Sequence, residues 1–238
     1  MMLNFEIDPT VLAPRVPPGT ELDTWRGRVL LTLVGFRFLE TWVRGFGLPG
    51  HRDFEEVNLR FYVRRRLAPG QWRRGVVFVR EIVPRRLIAI IARSWFGEPY
   101  VRHPMRHEVD LHAIAAGGSF TVRYAWRHRG RWLGFAGRAH GAPAVFAPGS
   151  EVEFVTEHYW GYTARPPGTD EYRVDHAPWR VWPLDDASVD GDVGTYYGPD
   201  FAKALRGPPC SAFLAEGSAV AVYPGHPLLP DDPAPDAA

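Results

Sequence analysis

Residues 54–64 read Phe-Glu-Glu-Val-Asn-Leu-Arg-Phe-Tyr-Val-Arg, and apolar and polar side chains alternate along the stretch. One side carries Val57, Leu59, Phe61 and Val63, and the other carries Asn58, Arg60, Tyr62 and Arg64. A period of two residues is typical of a β-strand, because successive side chains point to opposite faces. The stretch therefore predicts a strand with its aliphatic face on a core. The polar face either lines a cavity or meets solvent.

The chain on both sides of this strand also favours β-structure. A turn at Gly70 leads to a predicted strand over residues 75–83, which Pro84 ends, and then to a helix over residues 85–96 that Gly97 closes. Further strands are predicted over residues 106–114, 119–127, 131–140 and 171–176, and a final hairpin over residues 211–223.

The start of the chain predicts a short strand and then a helical turn with Asp8 as its cap and Pro9 at its first position. Many strands and few helices favour an α+β, mostly β fold, in which an antiparallel β-barrel carries a few short helices. The mouth of such a barrel is where a small ligand is expected.

Composition limits the domain organisation and the partners. The chain has 238 residues, 45% hydrophobic and 23% charged, which fits one globular domain over residues 1–229 with a disordered tail over residues 230–238. A net charge of +1 does not favour nucleic-acid binding. Because the chain shows neither an 18-residue apolar stretch nor a signal-peptide pattern at its start, we expect a cytoplasmic protein without membrane partners.

One segment carries a resemblance to a known superfamily. Residues 92–101 read Ala-Arg-Ser-Trp-Phe-Gly-Glu-Pro-Tyr-Val. The segment resembles the acetoacetate decarboxylase signature, in which Arg-Glu, two variable residues, Gly, one residue and Pro precede two lysines. Arg93, Gly97 and Pro99 match that pattern. Ser94 stands in place of the glutamate, and Tyr100 and Val101 stand in place of the two lysines.

Four blocks, in order, resemble the bacterial YqjF-like branch of the acetoacetate decarboxylase-like superfamily. They are residues 54–64, 96–100, 156–159 and 176–179. The resemblance implies the superfamily's barrel and its ligand cavity, and it also implies self-assembly as a homo-oligomer.

The missing lysine decides what chemistry the resemblance allows. In the decarboxylases that the segment resembles, a neutral lysine amine attacks a keto group. A phenol cannot form an imine, and the single lysine, Lys203, lies in a polar segment where we expect it to be exposed. Tyr100 is a candidate catalytic residue, as a hydrogen-bond donor or as a general acid and base. The alternative is a tyrosine that only lines the barrel.

Other candidates for proton transfer and ligand binding follow from residue type. Glu157 and His158 lie in the Thr-Glu-His-Tyr block and are candidate general bases, or packing residues of an aromatic-rich segment. The candidate ligand-binding residues are Glu56, Asn58, Arg60, Arg93 and His176. Glu56 resembles an acidic residue that the superfamily places near its active site. Glu81 could share that role, although alternation alone does not say which way it points.

Metal and nucleotide sites are not indicated. His103, His107 and His112 lack a recognised ligand spacing, and the chain has no glycine-rich nucleotide loop, so no metal and no cofactor are predicted. The arginines at 64–66, 73 and 74 flank a turn and are expected to form a solvated hairpin tip.

Two functional hypotheses remain open at this point. In the first, the chain binds a small anionic or carbonyl-bearing metabolite and is not a Schiff-base decarboxylase, and proton transfer such as enolisation, dehydration or isomerisation follows. In the second, it is a non-catalytic ligand-binding or assembly protein on the same fold.

Overall fold

The computed structural model of the chain describes residues 1–41, 53–85, 99–110, 114 and 117–228. In chain order the strands are β1 (Met2–Glu6), β2 (Glu21–Leu22), β3 (Leu30–Phe38), β4 (Phe54–Ala68), β5 (Gln71–Val83), β6 (Tyr100–Arg102), β7 (Met105–Val109), β8 (Phe120–His128), β9 (Arg131–Ala139), β10 (Trp160–Arg165), β11 (Gly168–His176), β12 (Val181–Pro183), β13 (Asp185–Asp190), β14 (Ser211–Ala215), β15 (Val220–Val222) and β16 (His226–Pro227). The helices are α1 (Pro9–Leu12), a 3-10 helix (Ala13–Arg15), α2 (Glu151–Thr156), α3 (Val193–Tyr197) and α4 (Pro199–Arg206).

The strands form two sheets. The larger sheet has twelve strands and follows the order β12-β14-β1-β3-β4-β5-β10-β11-β15, with β2, β6 and β16 pairing off this path. The smaller sheet has four strands in the order β13-β9-β8-β7. The mostly β, α+β prediction is confirmed.

The prediction of a barrel is wrong for the part of the chain that the structure describes. The path of the larger sheet ends at β12 on one side and at β15 on the other, and these two strands do not pair. Alternation along a segment predicts that it is a strand, but closure depends on hydrogen bonds between the first and last strands of the sheet. The described strands therefore form two open sheets.

The β4–β5 hairpin lies at the centre of the larger sheet, and both of its faces are buried. Val57, Leu59 and Phe61 are fully buried against the smaller sheet, as the alternation predicts. On the opposite face, Asn58 is only 2% exposed and Tyr62 only 1%. The polar face of β4 is therefore an interior surface, and helix α2 covers its Arg60 and Tyr62 part through Phe154 and Val155.

The two sheets approach each other closely at Gly35 of β3. A Cβ atom on Gly35 would lie 2.6 Å from ring atoms of Tyr124 in β8 and 2.8 Å from the ring of Phe135 in β9. Only a residue without a side chain allows these buried aromatic rings to pack on the larger sheet at this distance.

We expect Gly35→Ala to lower the free energy of unfolding by about 1–3 kcal/mol, because the added methyl group must displace two buried rings. Denaturant titration measures the change. Gly168→Ala in β11 is the matched control, since its Cβ would meet only the Leu228 carbonyl, at 3.9 Å. Equal stability of the two variants would contradict the close packing of the sheets at this point.

Several local predictions can be compared with the structure. Asp8 caps α1 through a hydrogen bond from the Thr10 amide, as predicted. The turn at 128–130 is also confirmed, with positive φ angles at Arg129 and Gly130. The hairpin over 211–223 is wrong, because β14 pairs with β1 and β12 whereas β15 pairs with β11. The predicted helix over 85–96 and the tail after 229 lie almost wholly outside the described residues.

The arginines near the β4–β5 turn form the expected solvated tip only in part: Arg66 is exposed, but Arg73 and Arg74 pair with carboxylates. Arg73 is 9% exposed, and its Nη1 atom lies 2.5 Å from Oε1 of the fully buried Glu171. The Nε atom of Arg74 lies 2.6 Å from Oδ2 of Asp23. The sequence interpretation failed because both carboxylates come from distant segments of the chain.

Candidate functional site

Four buried polar side chains form a row across neighbouring strands of the larger sheet. Glu56 and Asn58 belong to β4, Glu81 to β5 and Tyr100 to β6. In the strand register Asn58 is opposite Glu81, and Glu81 is opposite Tyr100, so these three side chains share one face. Their exposed fractions are 2% for Glu56, 2% for Asn58, 1% for Glu81 and 9% for Tyr100.

We call this set of four side chains the Tyr100 row. Hydrogen bonds connect three of its members around the carboxylate of Glu56. The Asn58 side-chain amide donates to Oε1 of Glu56 at 3.1 Å, and the Tyr100 hydroxyl donates to Oε2 at 3.4 Å. The ring of Tyr100 packs with Phe38, Phe54 and Val83. A carboxylate and a phenol are thus held together away from water, where electrostatic interactions are stronger than in water.

Glu81 is the member of the row whose side-chain direction could not be predicted from the alternation of residues along β5. Its backbone amide donates to the Pro99 carbonyl at 3.2 Å, which holds the start of β6 beside the end of β5. A bulge in the β4–β5 pairing, between Leu59 and Arg60, shifts the register along the hairpin. Because a one-residue shift moves a side chain to the other face, only the three-dimensional pairing determines that Glu81 joins the row.

Arg60 lies on the same face of β4, two residues beyond Asn58. Its Nη2 atom donates to the Val155 carbonyl at the end of α2, at 3.0 Å. Within the described ranges, no carboxylate pairs with its guanidinium group, and its Nε atom is buried without a hydrogen-bond partner. A partly buried cation of this kind suits the carboxylate of a ligand. Arg93, the other predicted anion-binding residue, lies outside the described residues.

His158 is buried beside Tyr62 of β4, away from Glu56. Its ring centroid lies 4.7 Å from that of Tyr62 and 5.2 Å from that of Phe154, and its Nε2 atom lies 3.7 Å from Oδ2 of Asp23. Tyr62 follows Glu56 by six residues, roughly 20 Å along a strand. The structure therefore does not bring His158 together with Tyr100.

Burial lowers the pKa of His158 to about 4, and the nearby charges of Arg74 and Arg60 act in the same direction against the opposing effect of Asp23. Burial alone would raise the pKa of Asp23, but its interactions with His158 and Arg74 outweigh burial and lower that pKa. His158 is thus a neutral imidazole at pH 7.

Between pH 6.5 and 4 the unfolded chain binds a proton at residue 158 that the folded chain does not bind. His158 should therefore lower the stability by up to about 3 kcal/mol as the pH is lowered through this range. Burial also lowers the pKa of the Met1 amine from 8.0 to about 5, so this group adds a fall of the same sign between pH 8 and 5. Asp23 acts only below this window, since its pKa is lowered from an already acidic value. Chemical denaturation at several pH values measures the slope.

The variant His158→Phe should lose the contribution of His158 to that slope, most clearly between pH 5 and 4, because phenylalanine cannot be protonated and fits between the same two rings. His140→Gln is the control, since the side chain of His140 is 59% exposed. An unchanged slope in His158→Phe would contradict a buried neutral imidazole.

Glu157 and His176 meet in a separate cluster. The Tyr159 hydroxyl donates to Oε2 of Glu157, and the Tyr159 ring lies 4.9 Å from that of His176, which stacks on Trp179 at 4.1 Å. Burial raises the pKa of Tyr159 to about 12, with the hydrogen bond and charge of Glu157 adding to it. The structure links these two residues through Tyr159, which the sequence interpretation missed. No contact joins them to the Tyr100 row within the described residues.

The histidines are the residues that could hold a metal ion, and the lysine is the residue that could react covalently with a ligand. Nδ1 of His107 lies 2.7 Å from Oε1 of Glu55, and His103 packs against the rings of His128 and Tyr196. Among the residues that the structure describes, no three His, Cys, Asp or Glu side chains are grouped to hold a metal ion. Lys203 is exposed on α4, as predicted. His112 lies outside the described residues.

The fold defines a class of protein. The structure resembles an acetoacetate decarboxylase from Legionella pneumophila with a TM-score of 0.60 and 12% identity, over 96% of this chain and 83% of that one. It also resembles the enduracididine biosynthesis enzyme MppR in complex with pyruvate, with a TM-score of 0.60 and 15% identity, over 95% of this chain and 81% of that one. The fold is therefore that of the acetoacetate decarboxylase-like proteins.

The sequence comparison places the chain within a particular family. Residues 1–219 match the family DUF2071, described as an uncharacterized conserved protein, and the chain belongs to that family. The protein YqjF of Bacillus subtilis is 28% identical over 182 residues, which cover 75% of this chain and 70% of the relative. The predicted YqjF-like branch is confirmed.

The location of the protein, its assembly and its binding of nucleic acid are not tested by these findings. Within the described residues, no helix is both long enough and apolar enough to cross a membrane. A cytoplasmic location, a homo-oligomeric state and the exclusion of nucleic acid stay predictions.

Proposed function

We propose that this protein binds a small carbonyl-bearing metabolite beside Tyr100 and transfers protons on it without forming a Schiff base. The observation that carries the proposal is the buried hydrogen bond between the Tyr100 hydroxyl and the Glu56 carboxylate. A neighbouring base and hydrogen-bond donor are the two groups that enolisation of a carbonyl compound requires.

In the proposed reaction, the Tyr100 hydroxyl turns from Glu56 to donate to the ligand's carbonyl oxygen. The Glu56 carboxylate then takes a proton from the carbon next to the carbonyl. The electron pair of the broken C–H bond forms the C=C bond of an enolate, whose oxygen carries the charge against Tyr100. Return of the proton to the opposite face of that carbon completes isomerisation. Where the next carbon carries a hydroxyl group, that group takes the proton from Glu56 and leaves as water, the C–O bond breaks, and a C=C bond conjugated to the restored carbonyl completes dehydration.

In the proposed function, Arg60 binds the carboxylate of the ligand. It lies on the face of the Tyr100 row and, within the described residues, has no acidic partner, so the carboxylate of a keto acid or hydroxy acid would satisfy its charge. The pyruvate complex of MppR supports this ligand class, because it shows a small keto acid bound to a protein of the same fold.

The proposal excludes a Schiff base at a lysine because of where the lysine lies. The only lysine, Lys203, is exposed on α4, while the signature position holds Tyr100. Asn58 donates a hydrogen bond to Glu56 and so orients the carboxylate toward the phenol. Glu157, His158 and His176 lie in other surroundings, so the proposed proton transfer does not use them.

We expect Tyr100→Phe to bind pyruvate or a related keto acid within about tenfold of the unsubstituted affinity but to catalyse proton exchange at least about 10²-fold more slowly. Thermal shift measures binding, because a ligand of the native state raises the melting temperature. Proton NMR in deuterium oxide measures exchange.

Tyr223→Phe is the matched control, since Tyr223 is 44% exposed. Proton exchange that survives in Tyr100→Phe would contradict a catalytic phenol. A thermal shift that the unsubstituted protein shows and that Tyr100→Phe retains, with no exchange in either protein, would favour the non-catalytic binding function.

A further inference from the structure

The larger sheet splits at the free edge of β5. Near its start β5 pairs with the parallel strand β10 at one position, Val76 with Gly161, and near its end it pairs with β6 from Glu81 onward. Between these points, among the described residues, no strand pairs with this edge. Main-chain groups of residues 77–79 that point away from β4 therefore face a gap.

The gap is a cleft of about 260 Å³. Its lining residues are Val77, Phe78 and Val79 of β5, Tyr162, Thr163 and Ala164 of β10, Pro99 before β6, and Arg15. Two diverging strands thus form its walls, the start of β6 closes one end, and the 3-10 helix provides a cation. We call this space the strand cleft.

The chemistry of the strand cleft is that of a receptor for an amide with a negative charge. Strand edges carry alternating N–H and C=O groups, which pair with the same groups of an extended amide. The guanidinium group of Arg15 packs over the Phe201 ring at 4.9 Å, and in the described parts of the chain no carboxylate pairs with it. Phe78 and Pro99 provide an apolar surface.

We propose that the strand cleft is a second ligand site, which binds a small carboxylate carrying an amide, such as an N-acyl amino acid or the C-terminal residue of a peptide. The ligand's amide pairs with the edge of β5, its carboxylate binds Arg15, and its side chain packs on Phe78 and Pro99. The cleft has room for one such residue but not for a long peptide.

This site is separate from the Tyr100 row. Pro99 precedes Tyr100, but Glu56, Asn58, Glu81 and Tyr100 are not among the lining residues of the cleft. Ligand binding in the cleft therefore requires none of the groups that the proposed proton transfer uses, and failure of one proposal leaves the other testable.

The test is a titration of the full chain with N-acetyl-L-valine, followed by two-dimensional amide NMR. We expect saturable shifts of the amide signals of Val77, Val79, Thr163 and Ala164. The methyl ester of the same compound is the matched ligand control. Its affinity should be lower by at least roughly tenfold, because it lacks the charge that Arg15 recognises.

Two variants make the test specific. Arg15→Gln should weaken binding by roughly tenfold or more, whereas Arg131→Gln, an exposed arginine of β9, should leave it unchanged. Ala164→Phe should block the cleft, and its exposed position allows the larger side chain to be accommodated. Amide spectra report whether each variant remains folded.

Absence of saturable shifts at the cleft amides in the unsubstituted protein would overturn the proposal. Binding of equal affinity in Arg15→Gln would also overturn it, because the carboxylate would then be recognised elsewhere. Shifts confined to the region of Tyr100 would show that the probe binds at the Tyr100 row instead.

Discussion

Replacing Glu171 with alanine is expected to lower the free energy of unfolding by about 3–5 kcal/mol. Glu171 is fully buried, and its two carboxylate oxygens lie 2.5 Å from Arg73 and 3.5 Å from Arg65. The side chains of these arginines are only 9% and 11% exposed. Removing the carboxylate leaves two positive charges out of water without a partner, and that penalty exceeds the loss of an ordinary contact.

The surroundings of Glu171 increase this effect. Arg73 also packs over the Trp160 ring at 3.9 Å, so it cannot turn toward solvent without losing that contact. Glu171 belongs to β11, whereas Arg65 and Arg73 belong to the β4–β5 hairpin. The ion pairs therefore join two parts of the larger sheet that, among the described residues, a single pair of β5 and β10 residues connects by strand pairing. Denaturant titration measures the change in stability.

Glu216→Ala is the matched control for this prediction. Glu216 lies 2.7 Å from Arg180, a distance similar to that of the buried pair, but the two side chains are 28% and 56% exposed. An exposed pair contributes at most about 1 kcal/mol, because water solvates each charge when its partner is removed. Equal losses in Glu171→Ala and Glu216→Ala would contradict a structural role for the buried pair.

Replacing Glu56 with glutamine is expected to slow proton exchange on a bound keto acid by about 10²–10⁴-fold, with a much smaller effect on affinity. Glutamine keeps the size of the side chain and an oxygen that accepts the hydrogen bonds of Asn58 and Tyr100. It cannot take a proton from carbon at neutral pH. Loss of exchange with retained binding therefore separates the base from the shape of the site.

Glu55→Gln is the control for this second prediction, because Glu55 is the neighbouring residue of β4 and points to the opposite face. It bonds to His107 rather than to the Tyr100 row. Proton NMR in deuterium oxide compares the variants, and thermal shift compares their affinities. Full exchange activity in Glu56→Gln would show that another group takes the proton.

The sequence predicted the parts of this site that depend on one segment. Alternation along residues 54–64 correctly grouped Glu56, Asn58 and Arg60 on one face of a strand. The face proved to be interior, and at Arg60 and Tyr62 it is covered by α2, which follows β4 by more than eighty residues in the chain. No local pattern distinguishes a polar face that meets solvent from one that meets a distant helix.

The parts that the sequence could not predict depend on pairing between segments. Tyr100 reaches Glu56 only because β6 pairs in parallel with the end of β5, which brings residues 44 positions apart into hydrogen-bond contact. Glu157 and His158 are adjacent in the chain, yet one bonds to Tyr159 and the other lies buried beside Tyr62. At the end of α2 the backbone changes from helix to strand, so neighbouring side chains diverge.

On the proposed function, the Tyr100 row transfers protons on a carbonyl ligand without covalent attachment. The most direct measurement incubates the unsubstituted protein with pyruvate in deuterium oxide, follows deuterium entry into the methyl group by NMR, and then adds borohydride before mass spectrometry of the protein. We predict exchange faster than in protein-free solution and an unchanged protein mass. A borohydride-trapped adduct at Lys203, or no exchange and no binding across keto acids, would contradict the account.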